Sequence, residues 1–93
     1  MAEEIQEMMD IRDRIRRFIV ERFIYEDNGA QRLRDEMSLL DEGIMDSFGV
    51  HEMIMFVEEE YGIKIEDEEA TPDHLGSVDA IVAFVSAKRA AAN

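Results

Sequence analysis

The chain has no cysteine, so neither disulfides nor thiolate metal sites can hold it together. It has a single proline, Pro72, and no Gly or Pro anywhere from Glu3 to Tyr25. No apolar run is long enough to span a bilayer, and no basic start with an apolar centre and small-residue cleavage site reads as a signal peptide. The expected compartment is therefore the cytoplasm. Basic residues are scarce: 10 Lys and Arg face 23 Asp and Glu, for a formal charge of −13. Phosphate neutralisation needs clustered cations, so nucleic acid is excluded as a partner and basic protein surfaces are favoured.

An apolar content of 46% places the 93 residues in one folded domain with one core, closed by helix packing. The reading is a single domain over 1–93, monomeric, with 1–4 and 89–93 frayed. The charge is uneven. Ten acidic residues and only Lys64 lie between Asp46 and Asp73, whereas five arginines lie between Arg12 and Arg22.

Ile5, Met8, Ile11, Ile15, Phe18 and Ile19 recur at helical spacing and predict one long amphipathic helix. Arg12, Arg14, Arg16 and Arg17 read as its solvated face, paired locally with Asp10, Asp13 and Glu21. Asp27-Asn28-Gly29 signals a turn. From there to Asp46 no period is strong, although Leu33, Met37, Leu39 and Leu40 can anchor a long loop, and Gly43 frees the backbone near its end. A second helix follows from Phe48 to Tyr61, with Val50, Met53, Ile54, Val57 and Tyr61 inward and Gly62 after its end. Ile63 and Ile65 turn back to the core. Thr71-Pro72 starts a short helix that Gly76 ends, and Ser77 caps a last one with Val78, Ile81, Val82 and Val85 inward. The fold class is all-α: a small four-helix bundle of three main helices and one short one, with a long first loop.

Chemistry concentrates at Asp46-Ser47, where Ser47 suits a helix N-cap. Ser47, His51 and Asp46 could be cast as nucleophile, base and orienter, but a capping serine and a histidine four residues on lack in-line geometry, and no Gly-x-Ser-x-Gly elbow is present. Glu66-Asp67-Glu68-Glu69 lacks the order of a calcium loop, so no metal site is expected. These residues leave two readings open, a carrier or an unmodified acidic helical adaptor for basic proteins.

Leu39-Leu40-Asp41-Glu42-Gly43-Ile44-Met45-Asp46-Ser47-Phe48, followed by Phe56-Val57-Glu58-Glu59-Glu60-Tyr61-Gly62-Ile63-Lys64-Ile65, resembles the acyl carrier protein family. The resemblance runs from Leu33 to Val85. It implies a stand-alone, non-catalytic acyl or aminoacyl carrier whose Ser47 receives a 4′-phosphopantetheine arm from coenzyme A through a phosphopantetheinyl transferase. It also implies that Asp46 assists that transfer and that Phe48, Glu52, Met55, Glu58 and Glu59 meet partners. Those partners would be an acyl- or aminoacyl-activating ligase and downstream synthases or transferases. Phe48-Gly49 stands where Leu commonly follows the serine, a variant similar to D-alanyl and other specialised carriers. The cargo stays open among fatty acid, secondary-metabolite and aminoacyl chemistry.

Overall fold

Helical periodicity over most of the chain becomes five α-helices and one 3-10 turn in the computed structural model, which describes residues 2–24 and 29–92. These are α1 (Ala2–Phe23), α2 (Gly29–Arg32), α3 (Ser47–Tyr61), a 3-10 turn (Asp67–Glu69), α4 (Pro72–Leu75) and α5 (Val78–Ala92). The long first helix, the second main helix, the short helix and the last helix stand as expected. The additions are α2, inside the long loop, and the 3-10 turn. Tyr25 and the Asp27-Asn28 part of the turn signal lie outside the described residues, and Gly29 opens α2.

The core is where three apolar faces meet. Ile11, Ile15 and Ile19 of α1, Met53 and Val57 of α3, and Val78, Ile81, Val82 and Val85 of α5 are all buried. Burying each such side chain contributes about 1.5–3 kcal/mol, the main term that offsets chain entropy in so small a domain. Phe18 of α1 stacks on Phe56 of α3 with centroids 4.2 Å apart. The periodic stripe of α1 overruns this core. Ile5 and Met8, expected inward, are exposed. Helical geometry continues at the other end through Ala92, and Arg89 Nε meets Glu7 Oε1 at 3.0 Å.

The arginines of α1 correct the sequence reading most clearly. Arg14 and Arg17 are exposed as expected, but the partners of Arg12, Arg14 and Arg16 are not local. Arg12 Nη1 donates to Asp35 Oδ2 at 2.7 Å and to Asp79 Oδ1 at 2.6 Å. Arg16 also bonds Asp35, and donates to the carbonyls of Leu33 (2.9 Å) and Ala30 (2.7 Å). Asp35 thus ties α1 to the loop, and Arg12 extends the tie to α5. Arg14 pairs with Glu60 at 2.7 Å and Arg22 with Glu52, fastening α1 to α3.

The loop from Leu33 to Asp46 is held by its own apolar side chains. Leu33 and Leu39 are buried and Met37 is half-buried, but Leu40, expected to anchor it as well, is exposed. Leu39 is the fixed point. Its N–H donates to the Gly76 carbonyl at 2.9 Å, and its carbonyl accepts from the amides of Ile44 (3.0 Å) and Met45 (3.1 Å). Gly43 has φ of 73°, the left-handed conformation that glycine takes without strain.

At the far end of α3, Gly62 is left-handed (φ 63°) and its N–H closes on the Glu58 carbonyl at 3.0 Å. The chain then returns to α5 through Glu69, whose carboxylate accepts from Lys88 Nζ at 2.8 Å and from the Glu66 amide at 2.9 Å. Lys88 first and the amide second hold the Glu69 carboxyl below the usual carboxylate range. A depressed carboxyl contributes stability above its unfolded pKa and loses it as pH falls through the folded one. Glu69→Gln is therefore expected to melt below the wild type at neutral pH, with the gap closing as pH drops through and below the carboxylate range. Thermal midpoints measured down that range check it; a constant gap would mean the carboxylate is not the linked group.

Candidate functional site

The start of α3 is set by what precedes it. Ile44 and Met45 are buried, which draws the chain into the core just before the helix and leaves Asp46 and Ser47 exposed at its mouth. Asp46, with extended backbone (φ −107°, ψ −173°), is the N-cap, and its Oδ1 accepts from the Gly49 amide at 2.8 Å. This corrects the reading of Ser47 as the cap. Ser47 is instead the first residue inside the helix, because the carboxylate one position earlier takes the third amide and its carbonyl takes the Val50 amide at 2.9 Å.

The correction frees the serine. Its hydroxyl has no partner among the described residues, and neither do the amides of Ser47 and Phe48. The other three serines are committed or enclosed. Ser38 Oγ accepts from Asp41 N–H at 3.2 Å, Ser77 Oγ from Ala80 N–H at 3.1 Å, and Ser86 Oγ is buried. Ser77 therefore caps α5, as its position predicts. Unpaired amides at a helix start, with the positive end of the helix dipole, suit an attached phosphate.

Beside Ser47 runs a cleft of about 340 Å³ between α3 and the α4 region. Leu40, Val50, Ile54 and Leu75 give it apolar walls, and Thr71 and His51 are among its few polar groups. Leu40 explains itself here, since the side chain that leaves the core forms the rim. The Thr71 hydroxyl, expected to cap α4, instead meets His74 Nδ1 at 3.2 Å, and Pro72 takes the first helical position. Gly76 also lines the cleft. A Cβ there would collide with the Pro72 carbonyl, and its own carbonyl holds Leu39. Gly49, three residues after the cap, is buried, and a Cβ there would stand 3.0 Å from the Phe23 ring. The sequence signal for the cleft was weak: Leu40 and Leu75 look like any core leucine.

No hydrogen bond joins Ser47, His51 and Asp46. His51 is exposed, and the Asp46 side chain is spent on the cap. The arrangement is not a nucleophilic relay. Among the described residues no group of three or more His, Asp or Glu side chains could hold a metal ion. No described helix is long and apolar enough to cross a membrane.

The residues marked for partner contact divide into two kinds. Phe48 (69% exposed), Met55 (55%) and Glu59 stand free on the outer face of α3. Glu52 is held by Arg22, and Glu58 Oε2 accepts from the Ile65 amide at 2.8 Å, which pins the segment after α3.

Fold and site together define a small all-helical domain that displays one uncommitted serine at a helix start, beside an apolar cleft. The acyl carrier proteins of two Caulobacter vibrioides strains, NA1000/CB15N and ATCC 19089/CIP 103742/CB 15, are each 31% identical to this chain over 83 residues. The match spans 89% of this chain and the full length of each relative. The chain belongs to the acyl carrier protein family. No protein-family model matches it.

Proposed function

We propose that this protein is a carrier without catalytic activity of its own, which holds an acyl or aminoacyl cargo as a thioester on a 4′-phosphopantetheine arm attached to Ser47. The observation that supports it most is the free, exposed Ser47 hydroxyl, released from capping by Asp46 and followed by an apolar cleft. The residues fit the group. Ser47 Oγ would form the new bond to phosphorus, losing its proton as the nucleotide remainder of coenzyme A departs. The unpaired amides of Ser47 and Phe48 would face the resulting anion. The arm, when bound, supplies the thiol that this cysteine-free chain lacks. A cleft walled by Leu40, Val50, Ile54 and Leu75 favours an apolar acyl chain over a charged aminoacyl group.

Incubation with coenzyme A and a broad-specificity phosphopantetheinyl transferase, followed by intact mass, tests this reading. One arm per chain, mapped to the Ser47 peptide, is the expected result. No mass gain with several transferases would leave the unmodified adaptor in its place.

Docking to a basic ligase or synthase surface in the cytoplasm would use Phe48, Met55 and Glu59 first. Glu59→Lys is expected to slow loading by such a partner without changing stability by more than about 0.5 kcal/mol. Glu58→Lys breaks the bond to the Ile65 amide and should cost about 1–3 kcal/mol, so it tests the fold rather than the interface. Urea titrations beside loading kinetics separate the two; equal loading rates for Glu59→Lys and wild type would move the interface off this face.

A further inference from the structure

Among the described residues, His51 is the only ionisable side chain in the lining of the cleft beside Ser47. It is exposed, and no hydrogen bond or ion pair engages it. It follows Ser47 by four residues on α3, a spacing that puts Cβ atoms about 5–6 Å apart on one helix face. The charged groups of every neighbouring element are committed or elsewhere. On α3 itself, Asp46 is bonded to the Gly49 amide and Glu52 to Arg22. The opposite wall, from Ala70 to Pro72 with Leu75 and Gly76, brings no charge, and neither does Leu40 from the loop. Asp73 and His74 of α4 lie outside the lining, and His74 Nδ1 sits 3.0 Å from the Glu69 carbonyl. Asp41 and Glu42 follow Leu40 on the loop, exposed and likewise outside the lining. His51 is thus a lone, exposed imidazole in an otherwise uncharged cleft lining. The chemistry it matches is an anion fixed at the serine.

Resting on the reading of Ser47 as the attachment point, we propose that His51 binds the phosphodiester of the arm. Its imidazolium donates an N–H to a phosphate oxygen and so directs the arm toward Leu40, Ile54 and Leu75 instead of into solvent. No covalent bond changes in this step; a proton is taken up from water as the ion pair forms. His51 is a positioning residue here, and Ser47 remains the only point of attachment.

Pairing with the anion favours the charged imidazole, so His51 should lose its proton at higher pH in the loaded protein than in the unmodified one. For an exposed pair the rise shrinks in high salt. The test uses the whole chain, loaded with coenzyme A and a transferase and verified by mass. Proton NMR follows the imidazole C–H resonances of both histidines across the neutral pH range, and phosphorus NMR follows the diester. The expected result is a raised His51 midpoint on loading, an unmoved His74, and a diester resonance that titrates with the His51 midpoint and becomes flat in His51→Gln. A fully loaded protein whose His51 midpoint equals that of the unmodified chain would overturn the proposal while leaving Ser47 as the attachment point. A diester titration that survives His51→Gln would do the same. A chain that takes no arm overturns both.

Discussion

Ser47→Ala is expected to gain no mass from coenzyme A and a phosphopantetheinyl transferase, where the wild type gains one arm per chain. The loss should be complete, because no other serine offers an equivalent hydroxyl. Ser38 and Ser77 accept backbone amides, and Ser86 is enclosed. Nor should unfolding confuse the result. Since Asp46 and not Ser47 caps α3, removing the hydroxyl breaks no hydrogen bond, and stability should change by no more than about 0.5 kcal/mol. Asp46→Ala makes the contrast, costing about 1 kcal/mol through the lost cap. Circular dichroism and urea midpoints on the samples used for mass spectrometry check both. A folded Ser47→Ala chain that still acquired the arm would end the assignment of this residue.

Leu39→Ala is expected to be the most destabilising single truncation near the site, at about 2–5 kcal/mol. Leu39 is fully buried, so the loss combines transfer free energy with a cavity. Against a total of about 5–15 kcal/mol for a domain of this kind, that is a large fraction. The variant should also act at a distance. The Leu39 backbone joins the Gly76 carbonyl to the amides of Ile44 and Met45, which stand immediately before Asp46. Loosening it should unsettle the helix start, so exchange of the Gly49 and Val50 amides, which bond Asp46, should quicken more than in the middle of α5. Urea unfolding and hydrogen exchange on the same protein measure the two effects. An unfolding free energy within about 0.5 kcal/mol of wild type would mean the loop is not held at this residue.

Much of this was legible in the residues. Met53 and Val57, or Val78, Ile81, Val82 and Val85, repeat at helical spacing, and Gly62, Pro72, Gly76 and Ser77 punctuate the chain where elements end or begin. The position of Ser47 at the start of α3 was equally plain. Its role there was not, because Asp and Ser are near-equal caps and adjacent in sequence; only the buried Ile44 and Met45 decide which one enters the turn. The arginine partners were hidden for a different reason. Asp35 and Asp79 lie 23 and 67 residues from Arg12, beyond any local pairing rule, and become neighbours only once α1, the loop and α5 have packed. Ile5 and Met8 fooled the pattern because periodicity describes a helix face and says nothing of whether another element reaches it.

The ion pairs of α1 have an effect on how the whole molecule meets others. Arg12, Arg14, Arg16 and Arg22 pair with carboxylates at Asp35, Asp79, Glu60 and Glu52, so the α1 flank is less negative than the segments around α3. Asp41, Glu42, Glu59, Asp67, Glu68 and Asp73 keep their charge on the segments around α3. The protein is thus an electric dipole as well as an anion. In the field of a positively charged surface it experiences a torque before contact, turning the uncancelled side forward while still several ångströms away. Orientation during diffusion, and not only attraction, is then built into where the arginines fold.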